Sequence, residues 1–508
     1  MIPKKLIILL LMCGLFAKSN TTVNGNVNYY FMTRLSNSEI INIPFRLLNV
    51  NVYHQRENID VNGTFSVEYR PRIDSDFIED SDPTDFNLLI RELYLTYYLN
   101  NLELSLGKKI YTWGNVDDNS PIDNLNPYDY YYLLQGTSER KLGIYSISFD
   151  WYLDETKKGA ENDFRLTGFF SPLHNTSRFP IDDPYYPMGL EIPDDIVPPS
   201  SKTTAINDKR PFESGLSISK SYINADFSIS YINAFDRIFN VSGFNIFQNN
   251  FGSVTSIQPL YSYRRTEGLN FGGVILFNDF TIRFDKTFFN SRDINNDLSF
   301  LESIESINQT TPSLEYSLLL NEKIRYAQDI IQIELPLPND YQINFQYFKH
   351  KTIRYQNIVT EGGFDCQNIN ITNVSFDCDL LPSKENYIIG MGAPFSLLSH
   401  NLFVIGLEKM LLDNSLKLTF NAAHDLKFKN QFLEVLFLVK TPMSKIDEYV
   451  DDNGGTMYSM EAEYEINDNF EFLVGFTKII GNSNLGDSYR FNGMENFSHL
   501  RTEINYNF

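Results

Sequence analysis

Three observations predict an all-β fold, a transmembrane antiparallel β-barrel with an even strand number of about 16 to 20 and long extracellular loops. Beyond the N-terminus, no stretch of the 508 residues approaches the ~18 to 20 consecutive apolar residues of a membrane helix, yet the chain holds 41 Phe and 31 Tyr. Segments of about ten residues alternate apolar and polar side chains, the period of a strand with two unlike faces. Tight turns such as Asn100-Asn101, Asn278-Asp279 and Asp413-Asn414 alternate with long polar loops. A mean hydropathy of −0.27 also follows if half of every strand meets lipid and half meets water.

Taken in order, residues 1–19 read as an export signal. Lys4 and Lys5 precede the apolar run Leu6 to Phe16, and Ala17-Lys18-Ser19 offers small residues at a cleavage site. Residues 20–508 then form the barrel. Strands are expected near 22–33, 43–55, 61–71, 86–99, 102–113, 141–154, 163–171, 212–222, 226–236 and 266–277. Ten more are expected near 280–290, 323–336, 341–354, 385–397, 402–412, 416–426, 431–440, 456–466, 470–480 and 498–508. The last is the clearest, with Leu500, Thr502, Ile504, Tyr506 and Phe508 on one face and Arg501, Glu503, Asn505 and Asn507 on the other. Twenty strands place both termini in the periplasm. A soluble β-sandwich or β-helix alternates as well, and large aromatics opposing Glu461, Glu463 and Arg501 do not by pattern alone separate the two; the alternation of tight turns with long polar loops points to the barrel. Ending on Tyr506-Asn507-Phe508 resembles the C-terminal signal read by barrel-assembly machinery.

Residues 86–130 carry the most specific local pattern, FNLLIRELYLTYYLNNLELSLGKKIYTWGNVDDNSPIDNLNPYDY. If Leu102, Leu104 and Leu106 face lipid, then Glu103, Ser105, Gly107, Lys109, Tyr111 and Trp113 face the lumen, joined by Glu92, Thr96 and Tyr98. Glu92 and Lys109 are then placed for a cross-strand ion pair. Lys108 falls on the lipid face, so either Gly107 marks a bulge or Lys108 snorkels to the interface. The motif as a whole reads as architecture, with Gly107 as a kink and the Asn-Pro-Tyr-Asp loop folding inward. Its matching positions are Arg91, Glu92, Tyr94, Gly107, Lys108, Lys109, Trp113, Gly114, Pro121, Asp123, Asn126, Pro127 and Asp129. This pattern resembles that of an uncharacterised family of Gram-negative porin-like outer-membrane β-barrels, some encoded beside RND-type lipid exporters. Lys108-Lys109 stand where that family usually has Arg-Gln. The proline-rich loop 171–211 followed by SGLSISKSYINADFSISYINAFDRIF, in which Tyr231 to Asp236-Arg237 ends the strand, also resembles the family's next hairpin. The resemblance implies an outer-membrane location, a barrel and an inner-membrane exporter as a partner, and supplies no mechanism.

Composition narrows the function. With 64 acidic against 42 basic residues the formal charge is −22, which argues against nucleic acid as a partner; losing Lys4, Lys5 and Lys18 takes it to about −25. None of the six His stands in a metal-ligand spacing and no nucleophile elbow occurs, so neither a metal, a cofactor nor an enzyme is expected. Acidic runs at 74–85, 182–195 and 447–452 read as solvated loop surface. Cys366 and Cys378, the two cysteines beyond the signal, are expected to form a disulfide within a loop. Two loops, 114–138 and the proline-rich 171–211, are candidate constrictions or lids, and deleting 175–205 should raise single-channel conductance. Outer-membrane lipid and lipopolysaccharide are the expected surroundings. The leading expectation is a channel or export conduit for passive passage of small or hydrophobic solutes. Alternatives are a non-conducting adhesin or polysaccharide-anchoring barrel and, least supported, a barrel enzyme.

Overall fold

A computed structural model describes residues 20–70, 86–133, 140–153, 163–180, 183, 185–186, 211–248, 254–294, 314–358, 382–384, 387–426, 454–485 and 489–508. The strands are β1 (Asn20–Arg34), β2 (Phe45–Arg56), β3 (Ile59–Tyr69), β4 (Phe86–Leu99), β5 (Leu102–Lys109), β6 (Ile144–Tyr152) and β7 (Phe164–Ser171). Next come β8 (Glu213–Tyr222), β9 (Ala225–Phe235), β10 (Asn240–Gln248), β11 (Val254–Ser262), β12 (Arg265–Leu276), β13 (Thr281–Arg292) and β14 (Leu314–Leu319). The chain ends with β15 (Lys323–Leu337), β16 (Tyr341–Gln356), β17 (Asn401–Leu411), β18 (Leu416–Asp425), β19 (Thr456–Glu465), β20 (Phe470–Ile480) and β21 (His499–Asn507).

Eighteen of these strands form one antiparallel sheet. Each pairs with the next along the chain, except that β9 passes to β12 and β13 to β15. The ring closes where β21 meets β1, from Asn26 opposite Asn507 to Arg34 opposite His499. Gly25 and Phe508 exchange backbone hydrogen bonds of 3.0 and 2.9 Å at the seam. Closure satisfies every interior ladder and leaves no sheet edge, the condition for crossing a bilayer with strands. The remaining three strands, β11-β10-β14, make a small sheet at the long-loop end.

Burial runs opposite to that of a soluble protein. Leu106, Ile147, Met460 and Ile504 are each more than half exposed on the outer face, whereas Ser105, Ser148, Asn270, Asp285 and Gln332 are buried inside. An apolar skin of this extent has no rationale in water; around a closed barrel it is the lipid-facing band of an outer-membrane protein. Aromatic pairs gird the short-turn end, with Phe470 and Tyr506 rings 4.7 Å apart and Phe277 and Phe280 rings 4.4 Å apart. Connections at that end are brief, as at 57–58, 100–101 and 223–224, and Asn100, Asp413 and Asn414 take the positive φ such turns need. By the known asymmetry of these barrels that end is periplasmic, and with it the start of β1 and the end of β21.

Two of the twenty expected strands are not among the eighteen. Residues 387–398 are not a strand but an irregular segment with one 3₁₀ turn, Pro394–Leu397. Tyr387, Ile388, Ile389 and Met391 are all buried, so the segment has no lipid-facing side. Their alternation with glycine imitated a strand, while Gly392 at φ +141° and Pro394 interrupt one. The expected strand at 431–440 lies outside the described residues, and β18 pairs directly with β19. The signal at 1–19 and the pair Cys366 and Cys378 also lie outside them.

Candidate constriction of the lumen

The site begins at a fault in β4. Between Ile90 and Glu92 the ladder with β3 skips one residue, so Arg91 and Glu92 both turn inward. The bulge is therefore one strand earlier than Gly107, which instead lies at φ +140° with its Cα pressed on the β4 backbone. Lys108 does stay on the outer face, and its Nζ donates to the carbonyl of Ile90, bared by the bulge, at 2.6 Å. On the inner face Glu92 accepts the Ile110 N–H at 2.6 Å, and Lys109 Nζ donates to Ser105 Oγ at 3.2 Å and lies 5.1 Å over Tyr94. Glu103, opposite Asp150, also faces inward below them.

Next the chain leaves the wall. The expected strand 102–113 stops at Lys109, and Asn126 shows why. Its Oδ1 accepts from Tyr111 N at 2.7 Å, and its Nδ2 donates to Lys109 O at 3.2 Å and Leu142 O at 2.7 Å. One amide side chain thus stands in for the peptide that would continue the β5–β6 ladder. Asp123 does the same a turn deeper, accepting Trp113 N at 2.8 Å and pairing with Lys141 at 2.5 Å. Tyr111 and Trp113 therefore sit on the inward loop, packed on Phe169 at 5.7 and 5.9 Å. Gly114 is required because a Cβ there would strike Ser120. Pro127 O accepts the Leu142 N–H at 2.8 Å, and Pro121 O accepts from Thr287 at 3.2 Å.

The loop tip then docks far across the ring. Asn115 N, Val116 N, Asn115 Nδ2 and Ser120 Oγ all donate to the Asp285 carboxylate of β13, at 2.9, 3.1, 2.8 and 2.6 Å. Asp117 exchanges bonds with Gln332 of β15 at 3.1 and 2.7 Å, and its carbonyl accepts from Gln346 of β16 at 3.0 Å. These strands stand six to eight places around an eighteen-strand ring from β5. The segment therefore spans the lumen from one wall toward the opposite one.

Other inward segments lock onto it. Phe395 N donates to Asn119 at 3.0 Å, and Ala393 N to Gln328 of β15 at 2.8 Å. Arg237 Nη1 donates to both carboxylate oxygens of Glu213 (2.8 and 2.9 Å), and its Nε and Nη2 donate to the carbonyls of Asn124 and Leu125. This gives the Tyr231 to Arg237 stretch a role that its sequence did not disclose. The described part of 171–211 packs on residues 128–133. There Arg178 pairs with Glu68 at 2.7 Å and Asp129 at 3.0 Å, and Asp183 with Arg70 at 2.9 Å. Burial pushes the Asp129 carboxyl up to about 6, against the pull of Arg178. Of the residues expected from the motif, Gly114, Pro121, Asp123, Asn126, Pro127 and Asp129 all converge on this loop. Asp285, Gln332, Gln346, Arg178 and Arg237 were missed, because nothing local marks a strand carboxylate or amide as the dock for a distant loop. Below the loop, carboxylates line the β17–β21 wall, where Arg501 meets Glu461 at 3.1 Å and Glu503 at 3.0 Å, and Lys417 meets Glu408 at 3.1 Å.

No protein-family model and no curated protein matches the chain. Solved structures are similar in fold. Pseudomonas aeruginosa OccK5 (OpdH) aligns with a TM-score of 0.43 at 8% identity, covering 97% of this chain and 99% of that one. The Pseudomonas aeruginosa outer membrane protein opdK gives 0.47 at 7% identity, covering 96% and 99%. Acinetobacter baumannii OccAB2 gives 0.43 at 10% identity, covering 96% and 98%.

Proposed function

We propose that the chain is a passive outer-membrane channel whose lumen is narrowed by the 110–133 segment, admitting small polar solutes. The single observation that carries this is the docking of the Asn115–Ser120 tip on Asp285, Gln332 and Gln346. Such a bridge divides a wide barrel into a narrower path, and loops of this kind set pore radius and selectivity. The wall below is polar, with Asn26 donating to Asn505 at 2.8 Å and Asn49 to Asn26 at 2.9 Å. A polar wall favours small hydrated solutes over the hydrophobic ones that the sequence left open.

Asp285→Ala tests the reading, because it removes four hydrogen bonds to the tip without touching the loop. In planar bilayers the native barrel should give small, steady conductance steps, and the variant larger, noisier ones. A barrel that conducts no ions in either form would instead support a sealed surface-binding protein. Equal conductance in both would show that the docked tip does not set the path.

A further inference from the structure

On an acidic chain, the long-loop end of the outer face of β12, β13, β15 and β16 is basic. Arg292, Lys323, Arg325, Lys349, Lys351 and Arg354 are all exposed there. Register places them in tiers. Asp329 lies opposite both Lys286 and Lys349, and two residues higher Ala327 lies opposite Lys351. Arg325 lies directly opposite Arg354, and Lys323 opposite Arg292, which itself opposes Arg265. Same-face tiers along a strand are about 7 Å apart, so the cations climb toward the rim. Below them the same strands present Phe284, Ile331 and Tyr347 in one apolar row.

Like charges directly opposite one another destabilise a sheet, and two tiers here set cation against cation. Among the described residues, the acids of this outer patch are few. Asp329 is taken by Lys286 at 2.5 Å, and Glu267 receives a long contact from Asn290 at 3.5 Å. Among the described residues Arg325 reaches only the neutral Asn290, at 3.4 Å. An anion held between the tiers removes that repulsion. The apolar row beneath matches acyl chains, so the complementary molecule is amphiphilic, with phosphate above and hydrocarbon below.

We propose that this face is a docking surface for the phosphorylated headgroup of an outer-leaflet glycolipid of the lipid A class. The proposal is independent of whether the lumen conducts. To test it, the detergent-solubilised full chain is mixed with diphosphoryl lipid A, with the same lipid dephosphorylated, or with inorganic phosphate, and bound mass is read by native mass spectrometry. Variants are Lys351→Gln and Arg354→Gln singly, all four of K323Q, R325Q, K351Q and R354Q together, and Lys409→Gln. Lys409 serves as control because it lies over Tyr341 at the other end of the barrel.

The expected result is lipid A retained by the native chain and by K409Q, and weakened by about fivefold for each patch cation removed. The dephosphorylated lipid should bind weakly and inorganic phosphate should not displace lipid A. Undiminished binding by the single and quadruple variants, or equal binding of the dephosphorylated lipid, would overturn the proposal. Displacement by inorganic phosphate, or an acidic polypeptide bound in place of lipid, would overturn it too. Should the quadruple variant not fold, the two single variants decide.

Discussion

A single amide, that of Asn126, decides where the wall of this barrel gives way to the loop that crosses its lumen. It serves three backbone groups of Tyr111, Lys109 and Leu142 that would otherwise be left without partners inside the lumen. Net hydrogen-bond contributions are near 1 kcal/mol each, and a buried group left unpaired costs more. Asn126→Ala should therefore lower barrel stability by about 2 to 4 kcal/mol, read as the urea midpoint in lipid vesicles. Asn126→Asp keeps the bond from Tyr111 N and loses both donors, so it should destabilise as well. A midpoint unmoved by either change would show that the clamp lies elsewhere. Lys108 makes a related point about one residue. Alternation placed it on the lipid face, but its carbonyl partner comes from a bulge in the neighbouring strand. A pattern within one strand holds no record of a fault in the next.

Strands were legible because period two is local and repeated; β21 and β19 fall within a residue or two of their expected bounds. Segment 387–398 misled because glycine alternating with large apolar residues satisfies the same period while packing entirely inside. The small β11-β10-β14 sheet was missed for the opposite reason, since VTSIQPLYS and NVSGFNIFQ lack a sustained two-faced pattern. The candidate loop was half legible: its glycines, prolines, Asp123 and Asn126 form a local motif, whereas the partners of its tip, Asp285, Gln332 and Gln346, lie 165 or more residues away. Elements also carry a pH dependence at the rim where β13 ends and β15 begins. Buried Arg264 pairs there with Asp236 at 2.9 Å and Glu322 at 3.1 Å, while Asp293 accepts from Glu322 N at 2.8 Å. Burial and the nearby Glu322 charge raise the Asp293 carboxyl well above the ordinary carboxylate range, and burial raises Glu322 also. A raised acid binds more protons folded than unfolded, so its contribution is full below the ordinary carboxylate range and lost as pH climbs through the folded value. Thermal stability should fall as pH climbs from about 4 through about 7, and Asp293→Asn should flatten that slope. A native profile already flat would exclude this cluster as its source.

At the scale of the molecule, charge is distributed unevenly between inside and outside. Glu408, Glu461, Glu463, Glu471 and Glu503 line one wall of the lumen, with Lys417 and Arg501 among them. A water-filled path beside that wall should favour cations. A reversal potential in a KCl gradient should show cation preference, weaker in the triple variant E461Q/E463Q/E471Q and at high salt. Equal permeability of both ions in the native barrel would assign the acidic balance to surface loops alone.

The seam between β1 and β21 governs more than shape. Asn26 and Asn505, which touch across it, are separated by 479 positions. Until β21 docks on β1, the other seventeen strands can at best form an open ribbon with two bare edges, each a template for pairing with another chain. Contacts this remote in sequence are also among the slowest to form. The nine residues of β21 are thus a kinetic deadline: without them the chain keeps its other ladders, its loop and its apolar skin, yet stays a sheet awaiting the wrong partner.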